Sequence, residues 1–519
     1  MGTRQDIREK TVEVAGLTLM SRVLGLARDL LLSRYLGVTR LSDAFVTAFR
    51  LPNSLRKIFA EGAMSAALVP TMVQSYKTDG RPAINKLTTF ALLIFEGLVL
   101  LMTLTIIAGA ETVVRWLAPG FSVDQIESAA SFLRILMPFL LTISSSAVLA
   151  GAFQSIGHFF MPAFGQVIIN IVFIAGLATC YWFELSPIIL CWFVLFAGVA
   201  QLVAHLAVYY GLGFTFSLVN GQELRCFIPV LHKFILSCVS MSAIEIGLIV
   251  DGMFASYLAK GSISLLYYAN RWMGVPHGVF AIAFSTVLLP HFSRHSGSSP
   301  EKLSFYLLEA SKMVAWVTIP TMLGMSILSN KLFYTFFLSP KFPIASVNEG
   351  AFLLQIFLAG LFFCSLNKIL MSLFYSMHST GVPAAIVLAA TASNALLNAL
   401  LIGSFQTAGL AAATAISWSI QTGLLLFFLA YLFDVRIDAK KFGAFIMRYG
   451  AQVAVIGLPF LITYLLLTQL ITYAMPSHVS YWLLDTVLFW PWVGSLGYLF
   501  VRVMMRTQKF FGVRLYFME

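Results

Sequence analysis

Apolar stretches long enough to cross a lipid bilayer follow one another along almost the whole chain. A membrane-spanning helix needs about 20 predominantly apolar residues, and fourteen segments of this sequence reach that length. The polar connections between them are short, so we expect no extramembrane part that folds alone. The predicted spans are residues 11–36, 42–76, 86–108, 127–154, 160–182, 187–211, 227–258, 262–292, 304–328, 348–377, 382–403, 407–433, 442–473 and 479–506.

The composition supports a membrane protein and excludes a soluble one. Of the 519 residues, 59% are hydrophobic and 11% are charged, whereas soluble domains have roughly 25% charged residues. We therefore predict an all-α polytopic membrane protein with about 14 transmembrane helices. We attribute the net charge of +11 to membrane topology and expect no nucleic-acid partner. The five cysteines show no CxxC spacing, which favours packing roles over disulfides or a metal cluster.

Lysine and arginine are unequally distributed between the two predicted sides of the membrane. Seventeen lie on the side that holds both termini, and five lie on the other side. Because cytoplasmic connections carry the excess of positive charge, both termini are predicted to be cytoplasmic. Arg22, Arg28 and Asp29 interrupt the first apolar stretch, unlike the continuous apolar region of a cleavable signal peptide. We therefore expect a retained first helix.

The chain also resembles itself at a nearly constant offset of 220 to 224 positions. The matched residues include Asp29 with Asp251, Ser65 with Ser285, and Asn170 with Asn394. We predict two pseudo-symmetric six-helix halves, residues 1–211 and 212–433, and a third part, 434–519, with two extra helices and a cytoplasmic tail. Such repeats place a substrate site between the halves and suit alternating access. This organisation indicates a transporter.

Charged residues are concentrated inside the first two predicted spans. They are Arg22, Arg28, Asp29, Arg34, Asp43, Arg50, Arg56, Lys57 and Glu61. A charge inside a bilayer is costly, so such residues are usually paired and functional. Arg22 lies roughly 16 Å inside the cytoplasmic end of its span, and an ion pair is expected between the neighbours Arg28 and Asp29. Arg34 is expected to extend to the membrane surface.

Arginines that converge from several helices would form a cavity of positive potential. Arg271 is the main basic residue within a span of the second half. A guanidinium group is always charged and binds phosphate bidentately, so the pattern indicates an anionic substrate, a phosphate or a diphosphate. In the alternative, the arginines pair only with carboxylates such as Asp29, Asp43 and Glu61.

Two further features lie within predicted spans. Pro52 and Gly62 interrupt the second span, and proline and glycine there predict a hinge. The other feature is a polar set on three later spans, which could hold Na⁺ or relay a proton; hydrogen bonding between helices is the alternative. Its members are Asp251, Asn394, Asn398 and Thr414. No other cofactor is expected, because nucleotide-binding and hydrolase motifs are absent from the sequence.

Several stretches resemble the MviN/MurJ family of lipid II flippases. They are SRVLGLARD (21–29), SDAFVTAFRLPNSLRKIFAEGA (42–63), FASYLAKGSIS with YYANR (254–271) and STVLLP (285–290). The resemblance implies movement of undecaprenyl-diphosphate-linked peptidoglycan precursor from the inner to the outer leaflet of the bacterial cytoplasmic membrane. It also implies lipid II and membrane lipids as partners, and a monomer that works with the cell-wall synthesis machinery.

The resemblance also implies roles for individual residues. The substrate-binding positions correspond to Arg22, Arg28, Asp29, Asp43, Arg56 and Arg271, and the polar set is similar to a cation site of some members. The two C-terminal helices correspond to a groove for the lipid tail. This chain departs from the family pattern at Asn270, where the family usually has Asp, at Gly274, where some relatives have an acidic residue, and at Asn398, which can be Asp. Its cavity is therefore expected to be less acidic.

Two other functions remain open from the residues. One is a drug or cation antiporter of the same multidrug/oligosaccharidyl-lipid/polysaccharide exporter superfamily, which would require an anionic cavity instead of clustered arginines. The other is a membrane enzyme acting on polyprenyl phosphates, which would require an acid–base or nucleophilic group beside the arginines.

Overall fold

The chain folds almost entirely into helices. A computed structural model describes residues 4–59, 64–217, 224–278, 292, 300–474 and 489–518. Within these ranges, β-structure is limited to an isolated bridge between Ser339 and Phe342. The predicted all-α class is confirmed.

The helices of the described residues are numbered here in chain order. They are α1 (Arg4–Leu36), α2 (Arg40–Arg56), α3 (Met64–Ala91), a π-helical turn (Leu92–Glu96), α4 (Gly97–Ala108), α5 (Ala110–Leu117), α6 (Val123–Leu136), α7 (Phe139–Ser155), α8 (Phe160–Trp182), α9 (Pro187–Gly211), α10 (Leu224–Ala255), α11 (Ser262–Pro276), α12 (Pro300–Phe337), α13 (Ile344–Ala359), α14 (Leu361–Ser376), α15 (Gly381–Phe433), α16 (Ala439–Ala474) and α17 (Trp490–Thr507), with a 3₁₀ turn at Tyr516–Met518.

Local sequence explains several helix ends and breaks. The Thr39 hydroxyl accepts a hydrogen bond from the Ser42 backbone N–H, and a side-chain oxygen at this position satisfies an otherwise unpaired donor of the first turn. Ser186 caps α9 in the same way, with Pro187 at its first position. The 53-residue α15 is broken at Gln406, which has a φ of 48°, so α15 contains two of the predicted spans.

The protein is a multi-pass membrane protein. In the described ranges, seven helices are long and apolar enough to span a bilayer, or eight if the bent pair α13 and α14 counts as one span. Three reasons explain why this number is below fourteen: α15 covers two predicted spans, α1 and α2 carry many charges, and some predicted spans include residues outside the described ranges. The number fourteen stays a prediction.

The chain packs as two compact units. The first comprises Met1–Tyr268, Ser339–Ser346 and Thr391–Leu410, and the second comprises Ala269–Leu338, Val347–Ala390 and Ala411–Glu519. These boundaries follow compactness, whereas the predicted parts 1–211, 212–433 and 434–519 follow the internal repeat. The division into repeats stays a prediction.

Each unit has its own apolar core. In the first unit, α8 packs against α1 and α9, while α2 packs against α6; Phe45 and Phe173 are buried among these helices. In the second unit, α12 packs against α14 and α16. The C-terminal helices α16 and α17 are joined by Gln452, whose Nε2 donates to the Met504 carbonyl at 2.8 Å and to Thr507 Oγ1 at 2.9 Å. Rigid packing around α8 positions the charged residues described next.

Candidate functional site

An ion pair on α1 is the first part of the candidate site. Arg28 Nη2 lies 2.9 Å from Asp29 Oδ1, and Arg28 Nε donates to the same oxygen at 3.1 Å. The Tyr267 hydroxyl donates to Asp29 Oδ1 at 3.3 Å. The side chains of Arg28 and Asp29 are only 12% and 3% exposed. The structure thus contains the ion pair expected from their adjacency, and it fixes the direction of the guanidinium group.

Asn170 on α8 holds Arg28 from the opposite side. Its Oδ1 accepts a hydrogen bond from Arg28 Nη1 at 3.3 Å. Its Nδ2 donates to Ser21 Oγ at 3.2 Å and to the Ser21 carbonyl at 3.1 Å, so α8 is tied to α1 at two points. The Phe173 ring centroid lies 5.2 Å from Arg28 Cζ, within cation–π range. Arg28 therefore has three partners, the Asp29 carboxylate, the Asn170 amide and the Phe173 ring.

Arg56 reaches the same face of α8 from α2. Its Nε and Nη2 donate to Asn53 Oδ1 at 3.3 and 3.1 Å, and its Nη1 lies 3.5 Å from Gln166 Oε1. Gln166 and Asn170 are four residues apart and so lie on one helix face. The structure thus brings Arg28 and Arg56 together within one turn of α8. The amide oxygens of Asn53 and Gln166 are neutral groups that orient the Arg56 guanidinium.

We include Arg22 in what we call the arginine cluster (Arg22, Arg28 and Arg56), although in the described residues no contact joins its side chain to the other two. It lies on α1, six residues before Arg28, a rise of about 9 Å along the helix. Its side chain is exposed, and among the described residues it has no hydrogen-bond or ion-pair partner. Arg22 is thus available to a ligand, whereas Arg28 and Arg56 are held in fixed orientations.

Asp43 has a different environment from the arginine cluster. It is 3% exposed, and its carboxylate caps the start of α11. Oδ2 accepts from the Gly261 N–H at 2.6 Å, and Oδ1 accepts from the Ser264 N–H and hydroxyl at 2.8 and 2.7 Å. A negative charge at a helix N-terminus is stabilising. These contacts link α2 to α11 and assign Asp43 a structural role.

The remaining predicted site and hinge residues are Arg271, Pro52 and Gly62. Arg271 is on α11, in the second unit, with an exposed side chain. Pro52 lies inside α2, which continues as a helix to Arg56. Gly62 lies outside the described residues, so the hinge stays a prediction.

Three members of the predicted cation set belong to the first unit, and Thr414 belongs to the second. Asn398 Nδ2 donates to Asp251 Oδ1 at 2.8 Å and to Asn394 Oδ1 at 3.1 Å. This network matches the alternative to a cation site, in which these residues form hydrogen bonds between helices. However, Asn398 Oδ1 is buried without a hydrogen-bond partner. A rotation of this amide would turn three oxygens toward one another, a donor set that suits Na⁺. In the described ranges, no group of three or more His, Cys, Asp or Glu residues could hold a metal.

Sequence reasoning missed Glu245, a buried carboxylate on α10 that pairs with Lys57 directly after α2. Lys57 Nζ lies 3.0 Å from Glu245 Oε1, and the Ser54 hydroxyl donates to Glu245 Oε2 at 2.7 Å. Nearby, Arg50 Nη1 donates to the Leu248 carbonyl at 3.0 Å. Glu245 is the single acidic residue between positions 227 and 250, a signal that could have identified it. The roles of Gln166 and Asn170 carried no comparable signal.

Comparison with known sequences finds relatives that share one description. A family model described as lipid II flippase MurJ matches residues 32–487. The probable lipid II flippase MurJ of Vibrio cholerae is 30% identical over 428 residues, which cover 79% of this chain and 81% of that protein. The lipid II flippase MurJ of Burkholderia cenocepacia is 30% identical over 423 residues, 80% of this chain and 82% of that protein.

Comparison with solved structures shows a shared fold. A lipid II flippase MurJ in an inward closed conformation aligns with a TM-score of 0.77 at 23% identity and covers 96% of this chain and 99% of that one. An inward-facing multidrug resistance MATE family transporter of the MOP superfamily aligns with a TM-score of 0.67 at 14% identity and covers 80% of this chain and 96% of that one.

Proposed function

This chain belongs to the lipid II flippase MurJ family, and on that premise we propose that it moves lipid II across the bacterial cytoplasmic membrane. The cargo is the undecaprenyl-diphosphate-linked peptidoglycan precursor, carried from the inner to the outer leaflet. The relatives are named as flippases, so the chain is a transporter and not an enzyme. The many apolar helices support insertion in a membrane, where a lipid-linked cargo resides.

The proposed diphosphate site rests on the arginine cluster. Each guanidinium group can bind phosphate oxygens through two parallel hydrogen bonds, so two phosphates require at least two such groups. Arg28 and Arg56 are oriented in advance by Asp29, Asn170 and Gln166, which lowers the entropy cost of ligand binding. Arg22 would then bind as the mobile third group, and Arg271 would add a charge from the second half.

The transport cycle we propose is alternating access between the two sequence halves. The internal repeat supports this mechanism, since repeats of this kind rock around a central site. We assign the prenyl tail to a groove beside α16 and α17. The lipid-facing side of α16 is strongly apolar there, with Val455, Leu458 and Leu466 each more than half exposed.

Complementation of a strain depleted of its own flippase tests the proposed function. Arg28→Ala and Arg271→Ala should each abolish growth, and lipid II should accumulate on the inner leaflet while the variant protein still inserts in the membrane. Arg115→Ala removes an exposed arginine from α5 and should grow normally. Normal growth of both test variants, or accumulation of an earlier precursor, would contradict the proposal.

We also propose that the polar set with Asp251 binds the coupling ion, Na⁺ or H⁺. Under this proposal the Asn398 amide rotates when Na⁺ binds, so that its buried oxygen joins those of Asp251 and Asn394. Na⁺ should then raise the unfolding temperature of the wild type relative to equal K⁺, and Asp251→Asn should remove the difference. An equal response of wild type and variant would leave hydrogen bonding as the role of this set.

The arrangement in the cell completes the proposal. We expect both termini in the cytoplasm, a monomer as the working form, and association with the cell-wall synthesis machinery. A reporter fused to the C-terminus that is active only in the periplasm should be silent. A drug or cation antiporter is disfavoured, because three clustered arginines would repel a cationic substrate.

A further inference from the structure

A carboxyl group lies in the middle of an apolar span and has no part in the site described above. Glu96 ends the π-helical turn Leu92–Glu96 between α3 and α4. It is ten residues from one end of the predicted span 86–108 and twelve from the other, which is about 15 Å from either end. Within the surrounding helix, Ala67–Ala108, an 18-residue window has a mean hydropathy of 2.5. Glu96 therefore lies near the centre of the bilayer.

The Glu96 carboxyl is buried without a direct partner. Neither of its oxygens has a hydrogen-bond partner in the described part of the chain, and both are closed to solvent. The Ser144 and Ser145 hydroxyls of α7 are its polar neighbours, but the Ser144 hydroxyl donates instead to the Leu141 carbonyl at 3.1 Å. Both serines are neutral groups, so neither balances a negative charge on Glu96.

The helices α4 and α7, which pack against this turn, provide no counter-ion for Glu96. Neither α4 nor α7 contains a charged or titratable residue. On α3 the nearest charged residue is Lys86, ten positions away. From α10, Phe234 packs on Phe95 with ring centroids 4.4 Å apart, and the same apolar cluster contains the titratable side chains of Tyr209 and Cys238. His232 and Lys233 directly precede Phe234 on α10. An ionised carboxylate is disfavoured in such apolar surroundings, so burial favours the protonated form of Glu96.

The turn itself has the geometry of a movable joint. A π-helical turn inserts one extra residue into a helix, and such turns occur frequently at functional sites. Phe95, within the turn, is fully buried, whereas Gly97, directly after it, is exposed and has open space around its Cα. A shift of the turn toward regular α-helix would rotate Glu96 away from α7.

We propose that Glu96 is a proton-binding site of the transport cycle. It holds its proton while the π-helical turn packs against α7, and it releases the proton to water in a conformation in which the turn and α7 separate. The O–H bond of the carboxylic acid breaks, and water molecules solvate the carboxylate that remains. This inference rests on the proposed transport function and adds a second ionisable site to it.

Infrared spectroscopy of the full-length protein in lipid tests the site independently of transport. A protonated carboxylic acid has a carbonyl stretch distinct from that of a carboxylate. At neutral pH we expect such a band, its loss in Glu96→Gln and its retention in Glu111→Gln. Glu111 is the matched control, because its side chain is 53% exposed and paired with Arg134. A spectrum without the band, or a band unchanged in Glu96→Gln, would overturn the proposal.

Lipid II flipping in proteoliposomes tests the role in the cycle. Glutamine imitates the protonated carboxyl, so Glu96→Gln should insert and fold like the wild type. The flipping rates of the wild type and Glu111→Gln should change between acidic and alkaline pH, and Glu96→Gln should lose that dependence. An unchanged pH profile in Glu96→Gln would overturn the coupling. If the wild type itself moved no lipid II, the transport function would fail, while the infrared band would still decide whether Glu96 binds a proton.

Discussion

At the scale of single residues, the orientation of Arg28 and Arg56 in the arginine cluster depends on neutral amide side chains as well as on charged ones. Asn170 accepts from Arg28 and donates to Ser21, and Gln166 lies within reach of Arg56. These bonds fix guanidinium groups that would otherwise sample many rotamers. Long side chains such as arginine lose about 2 kcal/mol of rotamer entropy when they are fixed, so prior fixation favours ligand binding.

We predict that Asn170→Ala lowers lipid II binding although no charge is removed. The variant frees Arg28 on one side and breaks the link from α8 to Ser21. A lost hydrogen bond to a charged group costs about 1.5–3 kcal/mol, so binding should weaken by roughly tenfold to a hundredfold. Measurement of lipid II affinity by native mass spectrometry checks this.

Asn85→Ala is the matched control for Asn170→Ala. Asn85 bonds to Thr215 at 2.9 Å and is also largely buried, but its partners lie outside the arginine cluster. Its loss should reduce stability without changing lipid II affinity. Equal affinities in both variants would show that Asn170 does not orient the substrate-binding groups.

We further predict that lysine cannot replace arginine at position 56. Arg56 directs separate N–H groups toward Asn53 and Gln166, whereas a lysine ammonium is a compact charge without a planar fork. Arg56→Lys should therefore lose most flipping activity in proteoliposomes despite its unchanged charge. Activity equal to that of the wild type would indicate that charge alone suffices at this position.

At the scale of secondary-structure elements, buried carboxylates join helices that are distant in sequence. Asp43 joins α2 to the start of α11, and Glu245 joins α10 to α2. Both contacts occur inside the first unit. Their local chemistry is that of helix capping and ion pairing, and both help to position the arginine-bearing helix α2.

Asp43→Ala should mainly destabilise the protein. Loss of a helix cap costs about 0.5–2 kcal/mol, and the unmet Gly261 and Ser264 N–H groups are buried, so we expect the upper end of that range or more. The unfolding temperature in detergent measures the effect. The control is Asp79→Ala, at an exposed position of α3. Unchanged stability with lost flipping would instead favour the substrate-binding role implied by the family resemblance.

At the scale of the whole molecule, the two C-terminal helices are part of the core of the second unit. The Tyr449 hydroxyl of α16 donates to the Trp316 carbonyl of α12. Ala315, Tyr449 and Met504 share one apolar cluster. These helices fall outside the predicted repeat, but they complete the packing of the second unit.

Truncation after Phe433 should therefore reduce folding and not merely remove a groove for the lipid tail. The truncated chain would expose apolar surface on α12 that α16 normally covers. We expect poor membrane accumulation and aggregation by size-exclusion chromatography. The point variant Tyr449→Phe, which loses one hydrogen bond, should accumulate normally. A monodisperse truncated protein that has lost only lipid II transport would support a role limited to the groove.

The sequence alone determined the membrane class, the all-α fold and the ion pair of Arg28 with Asp29. These features depend on composition, on apolar length and on neighbours in the chain, all of which are local. The family was likewise recognisable from contiguous stretches such as residues 42–63.

Only the tertiary structure decided which residues surround the charges. Arg28 and Asn170 are 142 positions apart, and no local pattern links them. The sequence also did not reveal the cap formed by Asp43, the pairing of Glu245 with Lys57 or the burial of the Glu96 carboxyl. Each depends on the packing of one helix against another, because burial and the nearest partner in space set the energy of a charge.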